Sequence, residues 1–382
     1  VDIATHLDRL IATLDLDGQD AISQAISAAV RAVPRHLFIP DVGLIEPRAG
    51  SRRLIDRQAD PDAWFEVVYG NHYVVTQLDD GRTPLTALEG DYTSSASQPG
   101  TVATLLKHLA AEPGCRVLEI GTGTGYTAAL LSHMVGQDNV VSIEVDAGIA
   151  EQAAKKLAAA GLRPWLVVGD GAAGHPGHGP YDRVHVTCGI RDIPPAWVAQ
   201  CRPGALIVLP WHPGFGAGHC LRLVVQADGT ARGRVVDGAA YMMMRSQRLR
   251  PDENPERDDE RRRYWTALDP RALDHLSAGA DLAISALTGL HAHSETGVDD
   301  DGEWLCMWVS DPVDAGRWAT VTWRPGRSRH VVQQAGDRPV WDEVLQAYAR
   351  WVAWGEPHWS DFGVTVAEDG THVWLSSPEN VL

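Results

Sequence analysis

The chain is short of several things, and each shortage excludes a class of protein. No run of eighteen apolar residues occurs, so no transmembrane helix is expected and a membrane is not an expected partner. Cysteine is scarce: Cys115, Cys188, Cys201, Cys220 and Cys306 are scattered and odd in number. That pattern fits neither a disulfide frame nor a zinc site, and it predicts reduced, buried thiols in a cytoplasmic protein. Positive charge is also scarce, with 33 Lys+Arg against 50 Asp+Glu and a formal charge of −17. An acidic surface repels phosphate backbones, which argues against nucleic acid as a partner. Val1–Leu16 is amphipathic and carries several acids, without the basic start and apolar core of a signal peptide. No internal repeat is visible. Against these shortages, an apolar fraction of 44% and a charged fraction of 22% are ordinary for a folded soluble protein. The 382 residues exceed what one core usually supports, so two domains are expected.

Residues 1–40 read as two helices. Ile3, Leu7, Leu10, Ile11 and Leu14 recur at helical spacing, and Ile22, Ile26, Ala29 and Val30 do so again, stopping near Val33 before Pro34. Residues 41–92 mix Pro, Gly, Asp and Arg with strand-like runs at Trp64–Tyr69 and His72–Thr76, and read as an inserted, extended lobe. The middle alternates apolar β-rich runs with helical patterns. Arg116–Ile120 precedes a helix over Tyr126–Met134, and Val140–Glu144 precedes one over Ala147–Ala160. Trp165–Val168, Tyr181–Thr187 and Ala205–Trp211 follow. Such alternation requires crossovers and a parallel sheet buried on both faces. Cys220–Gln226 and Gly233–Val236 would complete it antiparallel.

Residues 245–263 hold seven Arg, six acids and two prolines, which suits a solvated linker or the start of a charged helix. Ten of the fourteen tryptophans fall between Trp265 and Trp374. Alternating runs at Glu303–Val309, Trp318–Trp323, Gly363–Val366 and His372–Leu375, with a helical pattern over Val340–Trp354, predict a small α+β domain whose tryptophans build its core, with a peptide platform as the alternative. The expected division is therefore 1–92, N-terminal helices and lobe; 93–244, a cofactor-binding domain; 245–263, linker; and 264–382, the Trp-rich domain.

The most informative stretch runs from Glu119 through Gly121, Thr122, Gly123 and Gly125 to Tyr126, between a strand and a helix. Glycines there let the backbone turn tightly and approach a ligand. A dinucleotide fingerprint would place its third glycine where Tyr126 stands. Glu119, just before the first glycine, suits a cationic ammonium rather than a pyrophosphate. Glu144 closes the second strand, where an acid accepts from ribose hydroxyls. Gly169-Asp170-Gly171 ends the third strand, where a carboxylate accepts from an adenine amino group. Together these fit S-adenosylmethionine, with cofactor contacts expected at Glu119, Gly121, Thr122, Gly123, Gly125, Tyr126, Glu144, Val145, Gly169, Asp170 and Gly171, and no metal. Two other classes stay open: an NAD-dependent oxidoreductase, against which Tyr126 argues, and a catalytically silent peptide-binding protein.

The match extends beyond the cofactor loop. Ser97-Gln98-Pro99 precedes Leu118-Glu119-Ile120-Gly121, and the stretch Ser97–Leu131 closely resembles protein-L-isoaspartate O-methyltransferases. Val33-Pro34-Arg35 with Phe38, Val186-Thr187, Ile193-Pro194-Pro195 and Gly204–Pro210 are similar to further segments of that family. Coverage is roughly residues 20–45 and 92–212. The resemblance implies an α/β class I S-adenosylmethionine-dependent methyltransferase (Rossmann-like) core, with an N-terminal helical segment, an inserted lobe and a small C-terminal α+β domain. It implies a carboxylate as methyl acceptor, S-adenosylhomocysteine as product and Ser97 beside the transferring methyl. A helix N-cap before Pro99 is the compatible structural reading of Ser97. Thr93, Ser94, Ser95, Gln98 and Thr187 are further substrate candidates. The departures are an insertion of about fifty residues upstream of Ser97, about 140 residues after the core, and Gly100-Thr101 where the family has bulkier residues. This layout resembles extended actinobacterial members associated with lanthipeptide, lasso peptide and graspetide pathways. Those methylate an aspartate of a constrained ribosomal peptide, leading to aspartimide and isoaspartate; general isoaspartate repair is the alternative.

An Asp or isoAsp carboxylate, with a reference pKa near ~4, is ionised at neutral pH and needs no general base. Hence no Ser-His-Asp triad is expected, and Ser97 should orient rather than attack. His175, His178, His212 and His219 read as surface-loop histidines rather than metal ligands. Met242-Met243-Met244 reads as core packing, with an adaptable peptide groove as the alternative.

Overall fold

The computed structural model describes residues 2–248 and 261–382 apart from Asp15, Asp17, Gly18, Gln19, Ala49, Ala217 and His275. Most of the charged 245–263 stretch lies outside the described residues. Among the described residues no helix is long and apolar enough to cross a membrane.

The alternating strands form one nine-stranded sheet. Its parallel part runs Cys201–Trp211, Tyr181–Val186, Val117–Ile120, Val140–Glu144 and Trp165–Val168, side by side in that order. His219–Val225 and Ala231–Gly238 add to it antiparallel, as the sequence pattern predicts. Val117–Ile120 and Val140–Glu144 are buried at every residue, which accounts for their unbroken apolar character. Trp165–Val168 differs: it is the edge strand, with Trp165 54% and Val168 57% exposed, so its apolar run is not core.

One face of the sheet carries Tyr126–Val135, Pro99–Leu109 and the N-terminal helices Ile3–Thr13 and Ala21–Ala32, in one contiguous core. The first two helices begin on Asp2 and Asp20, whose carboxylates cap their free N–H groups. The lobe is a four-stranded antiparallel sheet ordered Arg53–Asp56, Val42–Ile45, Val74–Leu78, Tyr92–Ala96. Within it Pro61–Val68 is a helix, where the run Trp64–Tyr69 had suggested a strand. Asp60 caps Ala63 N at 3.0 Å and Pro61 sits in the first turn, and these start signals outweigh the apolar run. Trp64, Phe65, Val67 and Val68 are all buried by it.

The C-terminal part holds a five-stranded antiparallel sheet ordered Arg262–Thr266, His330–Ala335, Trp318–Trp323, Gly302–Ser310, His291–Asp299. Ala278–Thr288 and Val340–Ala353 lie between this sheet and the second face of the central one. Gly279 through Ser285 are consecutively buried, as a helix covered on both sides requires. The last two strands, Phe362–Ala367 and Gly370–Leu375, do not join the five-stranded sheet. They extend the central one beyond Ala231–Gly238, so the chain after 264 is split between two sheets. The tryptophans divide as well: Trp341 is fully buried while Trp265 is 58% exposed, so they are not simply a core.

All five cysteines are free, and only Cys220 is fully buried. His212 and His219 are not surface residues. His219 is buried and pairs with buried Asp281 at 2.5 Å, while burial pulls the His212 pKa down to about 4. His175 and His178 do lie in a loop, stacked on each other. Among the described residues no group of three or more ligating side chains could hold a metal.

Candidate active site

From Val117–Ile120 the chain steps outward to Val140–Glu144 and Trp165–Val168, then returns to Tyr181–Val186 on the other side. Open α/β sheets bind ligands outside the strand ends at such a reversal. A cavity of about 490 Å³ lies there, the size of a small-molecule site.

Its floor is the glycine loop. Gly121, Gly123 and Gly125 have φ of +95°, +53° and +87°. At Gly121 a Cβ would stand 2.5 Å from Thr187 Oγ1, so both conformation and space demand glycine. The Thr187 hydroxyl donates to the carbonyls of Ile120 (3.0 Å) and Gly121. Thr187 lines the cavity, yet its hydroxyl is engaged in pinning the loop rather than free for substrate. The other side of the loop is tied to the second strand, where Ile143 O accepts Gly121 N at 2.9 Å. Glu144 Oε2 accepts Gly123 N at 2.9 Å, and Oε1 accepts Asp146 N at 3.1 Å.

Most expected residues meet here. Gly121, Thr122, Gly123, Tyr126, Glu144, Val145, Asp170 and Gly171 line one side, and Thr93, Ser95, Ser97, Gln98 and Thr187 the other. Three expected contacts stand behind the wall instead. Gly125 gives the helix Ala147–Ala159 close approach, since a Cβ would sit 3.3 Å from Ala153 Cβ. Gly169 N donates to Glu144 O at 2.9 Å. Glu119 is fully buried beneath the loop, with Oε2 2.5 Å from Ser142 Oγ, whose hydroxyl is 2.6 Å from that of Thr122. Burial raises its pKa to about 8, so at neutral pH it is a neutral carboxyl bracing the loop. Its Oε1 is buried without a hydrogen-bond partner among the described residues, and the residue lies beneath the residues that line the cavity rather than among them.

The acceptor side is assembled from the lobe. Its strand Tyr92–Ala96 leads straight into Ser97, and the next helix starts at Pro99 with Gln98 as its cap residue. No side chain caps that helix, so Ser97 is not an N-cap. Arg35, from the Val-Pro-Arg segment, is fully buried and donates to three carbonyls: Val68 at 2.5 Å, His72 at 2.9 Å and Ser97 at 3.0 Å. Burial lowers its pKa to about 10, and it stays charged at neutral pH. Asn71 Oδ1 accepts Gly100 N at 2.8 Å, and a Cβ on Gly100 would lie 3.0 Å from that side chain. Thr93 is held by Gln77 Oε1 at 2.9 Å.

The rim is the segment after Gly238. Met242, Met243 and Met244 all line the cavity, so the run is site wall rather than plain core. Gly189 fastens it, donating to Met242 O at 2.8 Å and accepting Met244 N at 2.9 Å. Arg245 reaches Asp80 and Asp146 at 3.1 Å each, and Arg248 reaches Asp80 at 2.8 Å. Sequence reasoning missed Asn71, Asp80, Asp146, Tyr241, Arg245 and Arg248. Asp146 does carry a local signal, as the N-cap of Ala147–Ala159 that accepts Gly148 N and Ile149 N; no local pattern marks the other five, because their partners lie far away in the chain.

A profile of the protein-L-isoaspartate(D-aspartate) O-methyltransferase family matches residues 55–248. A protein-L-isoaspartate O-methyltransferase of Methylorubrum extorquens is 37% identical over 192 residues, which is 50% of this chain and 68% of the relative. One from Opitutus terrae is 33% identical over 215 residues, 56% of this chain and 76% of the relative. The chain belongs to the protein-L-isoaspartate O-methyltransferase family. A solved protein-L-isoaspartate O-methyltransferase aligns over 97% of this chain and 100% of its own, with a TM-score of 0.55 and 21% identity, a likeness of fold. The family match begins at residue 55, inside the segment that sequence patterning treats as an insertion.

As a member of this family the protein is an S-adenosylmethionine-dependent carboxyl methyltransferase. The residues present fit that cofactor. The loop offers backbone without side chains, and Glu144 keeps acceptor capacity on both oxygens beyond its two backbone bonds. Asp170 uses Oδ1 to cap Ala172 N at 3.0 Å while lining the cavity. When bound, the cofactor supplies an activated methyl group on a sulfonium. This chain aligns the acceptor carboxylate and limits water, and such orientation can supply roughly 7–11 kcal/mol of a barrier.

Proposed function

We propose that the acceptor is an Asp or isoAsp carboxylate in a constrained ribosomal peptide, processed in the cytoplasm. Methylation makes a carboxyl methyl ester and releases S-adenosylhomocysteine. The backbone amide then attacks the ester, methanol leaves, and the aspartimide that forms hydrolyses to isoaspartate or aspartate.

The observation that carries this reading is the seating of the lobe on the acceptor motif. Asn71 occupies the space beside Gly100, where a side chain would push it away. Arg35 holds Ser97 to the lobe's own carbonyls. The mouth is therefore built by two elements together, which favours a shaped substrate over a flexible strand. General isoaspartate repair is the second reading, and the names of the relatives favour it.

Mass spectrometry on three substrates under matched conditions separates the two. A cyclised peptide carrying Asp should gain 14 Da, or lose 18 Da as the imide, well ahead of its linear form and of a linear isoaspartyl peptide. Equal or faster reaction of the linear isoaspartyl peptide restores repair as the function.

A further inference from the structure

Arg245 stands where three distant parts of the chain meet: the lobe, the end of the second central strand and the segment after Gly238. Its Nη2 lies 3.1 Å from Asp80 of the lobe and 3.1 Å from Asp146, which follows Glu144 and Val145 of the cavity wall. Arg248 brings a second cation to 2.8 Å from Asp80. Both arginines line the cavity, and the Arg245 Nε is buried without a hydrogen-bond partner among the described residues. The four side chains are between 18% and 32% exposed, so dissolved salt can reach the ion pairs.

The two acids are fixed by the fold. Asp80 sits in the turn Asp79–Gly81, where Asp79 and Asp80 have φ of +47° and +54°. Left-handed backbone is costly for residues other than glycine, and aspartate is among the few that visit it. The turn is pinned by Asp79 Oδ1, which accepts Asp91 N at 2.9 Å, and by Asp80 N, which donates to Thr93 Oγ1 at 3.0 Å. Asp146 uses Oδ1 to cap Gly148 N and Ile149 N. That leaves Oδ2 for Arg245 at 3.1 Å and for Gln77 of the lobe at 3.3 Å. Asp146 N in turn donates to Glu144 Oε1, whose other oxygen holds Gly123 N. A continuous polar path therefore joins the lobe to the glycine loop, and Arg245 closes it from the rim.

We propose that Arg245 is a positioning residue for the cofactor: it clasps the lobe to the end of the second strand and so closes the Glu144 end of the cavity over the bound cofactor. Opening requires the charged contacts to Asp80 and Asp146 to part, so the clasp limits how fast S-adenosylhomocysteine leaves. The inference holds for any acceptor peptide, because none of these residues belongs to the Ser97 motif.

The test is the dissociation rate of S-adenosylhomocysteine from the full chain, read by stopped-flow displacement with excess S-adenosylmethionine. S-adenosylhomocysteine is a zwitterion without net charge, so salt acts mainly on the protein's own ion pairs. Raising salt from about 0.05 M to about 0.5 M should speed wild-type release about fivefold. Asp80→Asn keeps the shape and removes the charge that both arginines share. It should speed release about fivefold at low salt and flatten the salt dependence. In an Arg245→Gln, Arg248→Gln background the same change should have less than about a twofold effect, because its partners are gone. A merely structural role lowers the melting temperature of Asp80→Asn and leaves release at the wild-type rate, and that result overturns the inference. An equal effect of Asp80→Asn in both backgrounds also overturns it. So does wild-type release that ignores salt, a measurement that needs no variant.

Discussion

Glu144 Oε2 accepts the backbone N–H of Gly123 at 2.9 Å, so the acid that closes the second strand also sets the height of the glycine loop. The same carboxylate accepts Asp146 N at 3.1 Å and lines the cavity. Glu144→Ala removes two internal hydrogen bonds and the acceptor for a ribose diol. S-adenosylhomocysteine affinity should fall by about 1.5–3 kcal/mol, the worth of hydrogen bonds to a charged group. Isothermal titration reads this directly, and wild-type affinity would place the cofactor elsewhere.

Gly121 and Thr187 lie too close for any other residue. Gly121→Ala puts a methyl group 2.5 Å from Thr187 Oγ1 at a φ of +95°. The expected outcome is a lower melting temperature together with weaker S-adenosylhomocysteine binding. Thr187→Val, which keeps the volume and loses the two hydrogen bonds, should weaken binding less. Calorimetry on both variants checks the order.

Glu119 predicts a pH dependence of the empty protein. Its folded pKa, pushed up to about 8 by burial, lies well above the ordinary carboxylate value of about 4.5. The folded state therefore binds a proton that the unfolded state has released. Stability is full below about pH 4.5 and is lost as pH rises through about 8. Glu119→Gln removes the ionisation and keeps the shape. The wild-type melting temperature should drop between about pH 5 and 8 relative to that of the variant and then level off; parallel curves would show that Glu119 does not titrate there.

Gly100 marks where the lobe meets the acceptor motif. Gly100→Leu should displace Asn71, whose amide lies 3.0 Å from the new Cβ, and so open the mouth. Steady-state kinetics should show a higher KM for the peptide, while titration shows unchanged S-adenosylhomocysteine affinity. A lower affinity for both ligands would mean that the motif is coupled to the glycine loop instead.

Much of the cofactor half is legible in the sequence because its information is local. The glycines, Glu144 and Asp170 each sit where a strand ends, and strand ends follow from short apolar runs bounded by turn residues. The parallel order follows from alternating strands and helices. The lobe helix Pro61–Val68 was also within reach, since Asp60-Pro61 is a start signal; the apolar run beyond it pulled the other way.

What only the tertiary structure decided is which distant segments meet. Antiparallel pairing across long separations carries no local code, so nothing in Phe362–Leu375 announces that it joins Ala231–Gly238 rather than the sheet beside it. The same holds for Arg35 under Ser97, for Asn71 against Gly100 and for Asp281 against His219. Each is a buried or half-buried polar group whose partner lies far along the chain, and burial obliges such groups to find partners without stating which. The sequence by itself determined the cofactor floor and the class of chemistry. The acceptor side was decided by packing, because three separate stretches of chain have to come together before Ser97 has a fixed place.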